Sequence, residues 1–161
     1  MKNNIFFITI IILLFFFKNA HSEQYEFETS DIEIVDGGNI IYASNGKAIS
    51  IKNNLEIQAQ KFEYFREKEL LIAFDGTATL KLENLKIEFN KITIDQKNFL
   101  ITAKNNVKII DIDKKITFES NSIIFDQKSK ILTSKTDSIL KDKYKNNFLT
   151  KSFEYNFILH G

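Results

Sequence analysis

The chain has 161 residues, 22 Lys and Arg against 21 Asp and Glu, a formal net charge of +1, and no Cys, Trp or Pro. That length fits one domain able to bury a core without staples, and zero Cys excludes disulfides, iron–sulfur clusters and thiol chemistry. Near-neutral charge argues against nucleic acid as a partner, and the two histidines, His21 and His160, lie outside the body of the chain, leaving no His-based triad or His-rich metal site.

Residues 1–22 read as a signal peptide. Lys2 supplies the basic start, and Ile5 to Phe17 form a 13-residue run with no charge and only Thr9 polar. A spanning helix needs about 20 apolar residues, so the run is short for one, although an uncleaved N-terminal anchor is the other reading. Small residues Ala20 and Ser22 place cleavage before Glu23. Removal takes Lys2 and Lys18 and no acid, leaving 20 basic against 21 acidic residues in 23–161. An exported chain without cysteine suits a bacterial periplasm. Arg66 is the single arginine, and that lysine bias reads as genome composition.

From Tyr25 onward the chain repeats. Four segments align: Phe27-Glu28-Thr29-Ser30-Asp31-Ile32-Glu33-Ile34, then the stretches beginning at Ile57, Ile87 and Phe118. Tyr64, Ile94, Phe125 and Tyr155 mark successive copies at spacings of 30, 31 and 30 residues. The second half of the unit recurs as Ile40 to Gly46, Leu70 to Gly76 and Phe99 to Asn106, with a fourth copy from Lys130 that lacks the glycine. Such self-similarity marks a stacked architecture in which no unit buries its apolar face alone.

Within a unit the period is two. Leu85-Lys86-Ile87-Glu88-Phe89-Asn90 alternates apolar and polar, as do Ile49-Ser50-Ile51-Lys52 and Ile116-Thr117-Phe118-Glu119. This predicts half-buried strands, about three short ones per unit, and no helix after the leader. Asn45-Gly46, Asp75-Gly76 and Asn105-Asn106 supply the positive-φ residues of tight turns; Gly37-Gly38-Asn39, Asn53-Asn54 and Asp113-Lys114-Lys115 are further turn candidates.

The steps Ile57-x-Ala59-x-x-Phe62-x-Tyr64, Ala73-Phe74-Asp75-Gly76-Thr77-Ala78 and Ala103-Lys104-Asn105-Asn106-Val107-Lys108 resemble the OstA-like family. That family includes the lipopolysaccharide-transport protein LptA and the N-terminal domain of LptD, and the resemblance covers about Tyr25 to Tyr155. Asp75-Gly76-Thr77 and Asn105-Asn106-Val107 depart from the family's Gly-Asn-Val, and Gln60 stands where it favours Asp. The resemblance implies one OstA-like domain over 23–161, an all-β, open β-jellyroll whose antiparallel strands stack into a V-shaped groove. It implies that the groove shields lipopolysaccharide acyl chains in transit through the periplasm toward the outer membrane. Partners would then be lipopolysaccharide and other jellyrolls joined edge to edge, or further copies of this chain.

The alternation by itself places Ile49, Ile51, Ile57, Ile72, Phe74, Leu85, Ile87, Phe89, Ile101, Ile109 and Phe118 inward, where they would line an apolar trough or form plain core. No catalytic residue, cofactor or metal is expected. Glu56, Glu63, Glu83, Glu88 and Glu119 read as solvated-face acids and not as the carboxylate pair of a glycosidase. Asp111-x-Asp113 reads as a turn and not a calcium loop, and Lys141 to Lys145 as a solvated turn whose charge would admit lipid phosphate. Phe62-Glu63-Tyr64-Phe65-Arg66 offers a cation–π contact. A membrane β-barrel and a β-solenoid adhesin with a filled interior are the competing architectures.

Overall fold

Alternating residues over this stretch form strands β1 (Glu26–Val35), β2 (Ile40–Ser50), β3 (Leu55–Phe65), β4 (Leu70–Leu80), β5 (Leu85–Asp95), β6 (Leu100–Asp111) and β7 (Ile116–Asp126). Four short strands follow: β8 (Ile131–Ser134), β9 (Ser138–Lys141), β10 (Asn147–Thr150) and β11 (Phe153–Asn156). The structure is a computed structural model, and it describes residues 25–157. The leader read at 1–22 lies outside the described residues.

Every pairing is antiparallel, and β1 through β8 follow one another as a meander. β7 pairs with β8 through Ile124–Asp126 and with β9 through Thr117–Ser120. β8 and β9 are therefore one strand broken at its middle, and β11 and β10 repeat that arrangement beside them. The sheet ends at β1 on one side and at β10 and β11 on the other. Among the described residues the sheet is open and antiparallel, neither a closed barrel nor a parallel solenoid.

Two strands make one 30-residue unit, not the three short ones expected. The turns 51–54, 66–69, 81–84, 96–99, 112–115 and 127–130 have four residues, the last left-handed: Asn54, Glu69, Asn84, Phe99, Lys115 and Lys130, each 15 or 16 residues after the one before. The turn 142–146 has five, with Lys145 left-handed. Neighbouring turns are joined by backbone hydrogen bonds. The Arg66 N–H donates to the Asn39 carbonyl at 2.8 Å, Gln96 to Glu69 at 3.0 Å and Gln127 to Phe99 at 2.9 Å. On the opposite rim Lys81 donates to Asn54 at 2.9 Å and Ile112 to Asn84 at 3.0 Å.

Halfway along, each long strand bends. In β2 the buried residues are Ile41 and Ala43, then Ala48 and Ser50, so the inward parity switches between them. β3 switches between Ala59 and Phe62, β4 between Ala73 and Ala78, and β5 between Phe89 and Ile92. Asn45-Gly46, Asp75-Gly76 and Asn105-Asn106 sit at these bends. They do hold left-handed residues, Asn45, Asp75, Asn105 and Asn106, but inside strands and not in hairpin turns. The ladder skips there, passing from Ser44↔Lys61 to Gly46↔Ala59. A Cβ on Gly46 would lie 2.1 Å from the Glu28 carbonyl oxygen, and one on Gly76 2.2 Å from that of Gln58. Only glycine lets the neighbouring backbones approach this closely.

The bend divides the sheet into two walls that share one core. The first wall holds the strand halves around Ala43, Phe62, Ala73, Ile92, Ala103 and Phe125. The second holds those around Ala48, Ile57, Ala78, Ile87, Ile109 and Phe118. Large and small side chains alternate across strands in both: Phe62 lies opposite Ala43 and Ala73, and Ile57 opposite Ala48 and Ala78.

Gly76→Ala forces its new methyl into backbone and is expected to destabilise the fold by roughly 3–5 kcal/mol in urea unfolding. Asp95, Asp126 and Asp142 accept turn hydrogen bonds, chiefly from the Asn98 side chain, the Ser129 N–H and the Asn146 side chain. Those bonds hold all three carboxyls below their usual 3.8. A carboxyl whose folded pKa is depressed adds stability above its unfolded value, and that stability disappears as pH falls through the folded one. The urea midpoint should hold down to about pH 4 and decline below it.

Candidate functional site

The space between the walls is the candidate site. Its lining is apolar because the inward residues of both walls are Ile, Leu, Phe, Tyr, Val and Ala, with Ser50, Asp111, Ser134 and Ser138 the buried polar exceptions. The walls meet through rings. Phe27, in the second-wall half of β1, packs edge-on against Phe62 of the first wall with centroids 5.9 Å apart, and Tyr25 lies 5.1 Å from Tyr64. At the other end Phe118 of the second wall contacts Phe153 and Tyr155 of β11, each at 5.0 Å. Phe157 closes onto Phe125 at 5.6 Å.

The interior is filled by these side chains, where an open trough was expected. The Tyr25 hydroxyl is buried without a hydrogen bond, and burial and then the neighbouring Tyr64 push its pKa far up, so the phenol stays neutral. Asp111 accepts the Lys114 N–H at 2.9 Å, and the Tyr155 hydroxyl lies 3.5 Å from its other oxygen.

Of the eleven residues assigned inward, Ile57, Leu85, Ile87, Phe89, Ile101, Ile109 and Phe118 lie between the walls, all buried. Four do not. Ile49, Ile72 and Phe74 are half-buried on the outer face, and Ile51 is 78% exposed in the turn after β2. The assignment erred because the even strands present their small residues, Ala43, Ala48, Ala73 and Ala78, to the interior. There they fit between the large side chains of β3 and β5. Phe74 instead lies beneath the Lys61 and Lys91 ammonium groups, each 5.4 Å from its ring.

The residues that join the two walls, Tyr25, Phe27, Tyr64, Phe153 and Tyr155, were missing from the assigned set. Tyr64, Phe125 and Tyr155 mark the repeat, and that periodicity was the one signal that pointed to them.

The outer face of the second wall is charged and balanced. Glu56 bonds Lys47 at 3.1 Å and Lys81 at 3.3 Å, and these two lysines hold its carboxyl below the usual range. Glu88 pairs with Lys86 at 3.3 Å and Lys108 at 3.9 Å, and Glu119 with Lys141 at 2.6 Å. Glu63 bonds Lys61 at 2.7 Å, and Glu83 bonds Lys130. All five glutamates considered for a carboxylate pair are thus committed to lysines. Asp113 accepts the Asn84 side-chain amide at 3.0 Å, and among the described residues no group of three acids or histidines is placed to hold a metal ion.

The Glu83–Lys130 pair joins the two rims, since Glu83 lies in the β4–β5 turn of one wall and Lys130 in the β7–β8 turn of the other. The two ends of the sandwich are less covered. At one, Ile32 and Ile34 of β1 stand opposite the inward Ala43 and Ile41 yet are 53% and 59% exposed. At the other, Phe148 of β10, opposite the inner-face Leu140, is 54% exposed.

No family model matches the sequence, and no curated protein matches it either. Among solved structures the chain is similar to that of LptH from Pseudomonas aeruginosa, the LptA-homologous periplasmic component of the conserved lipopolysaccharide transport device. The likeness has a TM-score of 0.60 at 12% identity and covers 67% of this chain and 79% of that one. At that identity it carries the fold: an all-β jellyroll of the LptA kind.

Phe118→Ala, inside both walls' contact, is expected to cost roughly 3–5 kcal/mol, and Phe74→Ala, on the outer face, about 1 kcal/mol or less. Equal losses in urea unfolding would contradict the facing of these strands.

Proposed function

We propose that the protein is a periplasmic lipopolysaccharide carrier that shields acyl chains between its two walls. The observation that supports this most is a core running the length of the sheet between two walls, with uncovered inner-face apolar residues at both ends. The jellyroll likeness to LptH supports the same reading. Each acyl CH₂ moved from water into such an interior is worth about 0.8 kcal/mol, so a long chain binds without a polar pocket. The walls must part to admit it, and the Glu83–Lys130 contact across the rims is one polar bond that parting breaks.

Carriage of this kind needs no catalytic group. Export by the leader at 1–22 places the mature chain in the periplasm, within reach of the outer membrane. Its neighbours are jellyrolls of the same transport system or further copies of this chain. They add strands at β1, whose outer side is unpaired among the described residues, or at β10 and β11.

A photo-crosslinking amino acid placed at Phe27 or Phe89, on the inner face, is expected to capture lipopolysaccharide from solution. The same group at Ile72 or Phe74, on the outer face, should give background labelling only. Placed at Ile34, it should capture a neighbouring jellyroll. Equal labelling from both faces, or no retention of lipopolysaccharide by the purified protein, would remove the proposal.

A further inference from the structure

Among the described residues the free rim of the second wall is made of four turns: 51–54, 81–84, 112–115 and 142–146. Each turn carries one large apolar side chain facing solvent: Ile51 is 78% exposed, Leu82 71%, Ile112 52% and Tyr144 74%. Successive turns are two strands apart, about 10 Å, so the four side chains form a row of about 30 Å. Such a turn does not require an apolar residue at any of these places, and water is an unfavourable surrounding for them.

Lysines accompany the row. Lys52, Lys81, Lys114, Lys115, Lys143 and Lys145 lie in the same four turns, against the acids Glu83, Asp113 and Asp142. All three acids are engaged within the protein, Glu83 by Lys130, Asp113 by Asn84 and Asp142 by the Asn146 side chain at 2.8 Å. Lys81 pairs with Glu56, and Lys114 lies over the Tyr155 ring at 5.4 Å. Lys52, Lys115 and Lys145 keep their charge toward solvent, and Lys143 lies over the ring of its neighbour Tyr144 at 5.0 Å.

The opposite rim does not share the pattern. Its turns carry Gly37-Gly38, Glu67-Lys68-Glu69, Lys97-Asn98-Phe99 and Lys128-Ser129-Lys130, with Phe99 at 43% the one exposed large apolar residue among them. Basic residues occur on both rims, Arg66, Lys68, Lys97, Lys128 and Lys130 among them on this one, but the repeat builds a solvent-facing apolar row beside its lysines on one wall alone.

We propose that this rim is a docking edge for the surface of an anionic lipid bilayer. Ile51, Leu82, Ile112 and Tyr144 enter the boundary between headgroups and acyl chains, while the free lysines meet lipid phosphates. An apolar side chain beside a lysine on every turn matches that boundary, where the cation reaches up to phosphate as its neighbour goes down. A protein partner is the poorer fit, because protein interfaces are depleted in lysine. Docking in this way sets one lip of the space between the walls against the membrane.

The test uses the purified mature protein and sedimentation with vesicles free of lipopolysaccharide, so its outcome is independent of acyl-chain carriage. Wild type should sediment with vesicles of phosphatidylcholine plus phosphatidylglycerol, less so in high salt, and remain in solution with phosphatidylcholine alone. The combined variant Ile51→Ser, Leu82→Ser, Ile112→Ser and Tyr144→Ser should lower binding at least about tenfold. The variant Lys52→Gln, Lys115→Gln, Lys143→Gln and Lys145→Gln should abolish the preference for anionic vesicles. Urea midpoints equal to wild type separate lost docking from lost fold. The pair Phe148→Ser and Leu149→Ser, exposed apolar residues off this rim, should bind as wild type does. The proposal is overturned if wild type ignores anionic vesicles, if either rim variant binds unchanged, or if the Phe148 and Leu149 pair loses as much. Sedimentation without vesicles that the rim variants abolish would mean a protein interface and overturn it equally.

Discussion

Each long strand of this sheet has to turn a corner at its middle, and the rest of the molecule depends on how that corner is made. Two backbones pass so closely there that Gly46 and Gly76 have no room for a Cβ. The left-handed Asn45 and Asp75 supply the bend that a straight pleat lacks. In β6 two left-handed asparagines, Asn105 and Asn106, replace the glycine by adding a residue, and the register shifts between Lys104 and Val107. The polar side chains of successive corners then bond across strands, Asn106 to Asn90 and Asn90 to Asp75, each at 2.9 Å. Where the repeat loses its glycine altogether, the strand breaks into β8 and β9. The hydroxyls of Ser120, Ser134, Thr136 and Ser138 then bond one another within 2.8–3.2 Å.

Because the corner reverses the inward parity, both halves of a strand point their apolar residues into the same space. One amphipathic ribbon thus makes two facing walls, and charge collects outside them as the lysine–glutamate pairs around Glu56 and Glu88. Within the walls alanine alternates with large side chains across neighbouring strands, so the layers interlock. Rings from the terminal strands, Phe27 at one end and Phe153 and Tyr155 at the other, fasten wall to wall. A fold held this way leaves an apolar seam between its walls, and the proposed carriage of acyl chains rests on that seam.

Much of this was legible along the chain. The 30-residue period, the alternation of two and the absence of helix led directly to stacked antiparallel strands. The positive-φ candidates at Asn45, Asp75 and Asn105 were found as such, since asparagine and aspartate before glycine tolerate that conformation. Their meaning was not, because a left-handed residue looks the same in a hairpin turn and in a strand corner. Of the true turns, those ending on Asn54 and Lys115 were among the further candidates, whereas those ending on Glu69, Phe99 and Lys130 close on residues with no local preference for that backbone; the carbonyls of these three accept backbone hydrogen bonds from Gln96, Gln127 and Phe157. The candidate lining followed hydrophobicity, which favoured Ile72 and Phe74 over their inward neighbours Ala73 and Ala78. Hydrophobicity ranks single residues, whereas the interior selects by the room a partner strand leaves.

The amino-acid sequence by itself determined the period of the strands, their alternation and the near absence of groups able to do chemistry, because these are properties of residues close together along one chain. Only the tertiary structure decided which face is inside, since parity through a corner depends on backbone contacts between strands. It also decided that the four turns of one rim line up: residues near positions 51, 82, 112 and 144 become neighbours only after seven strands have stacked at a spacing the hydrogen bonds impose.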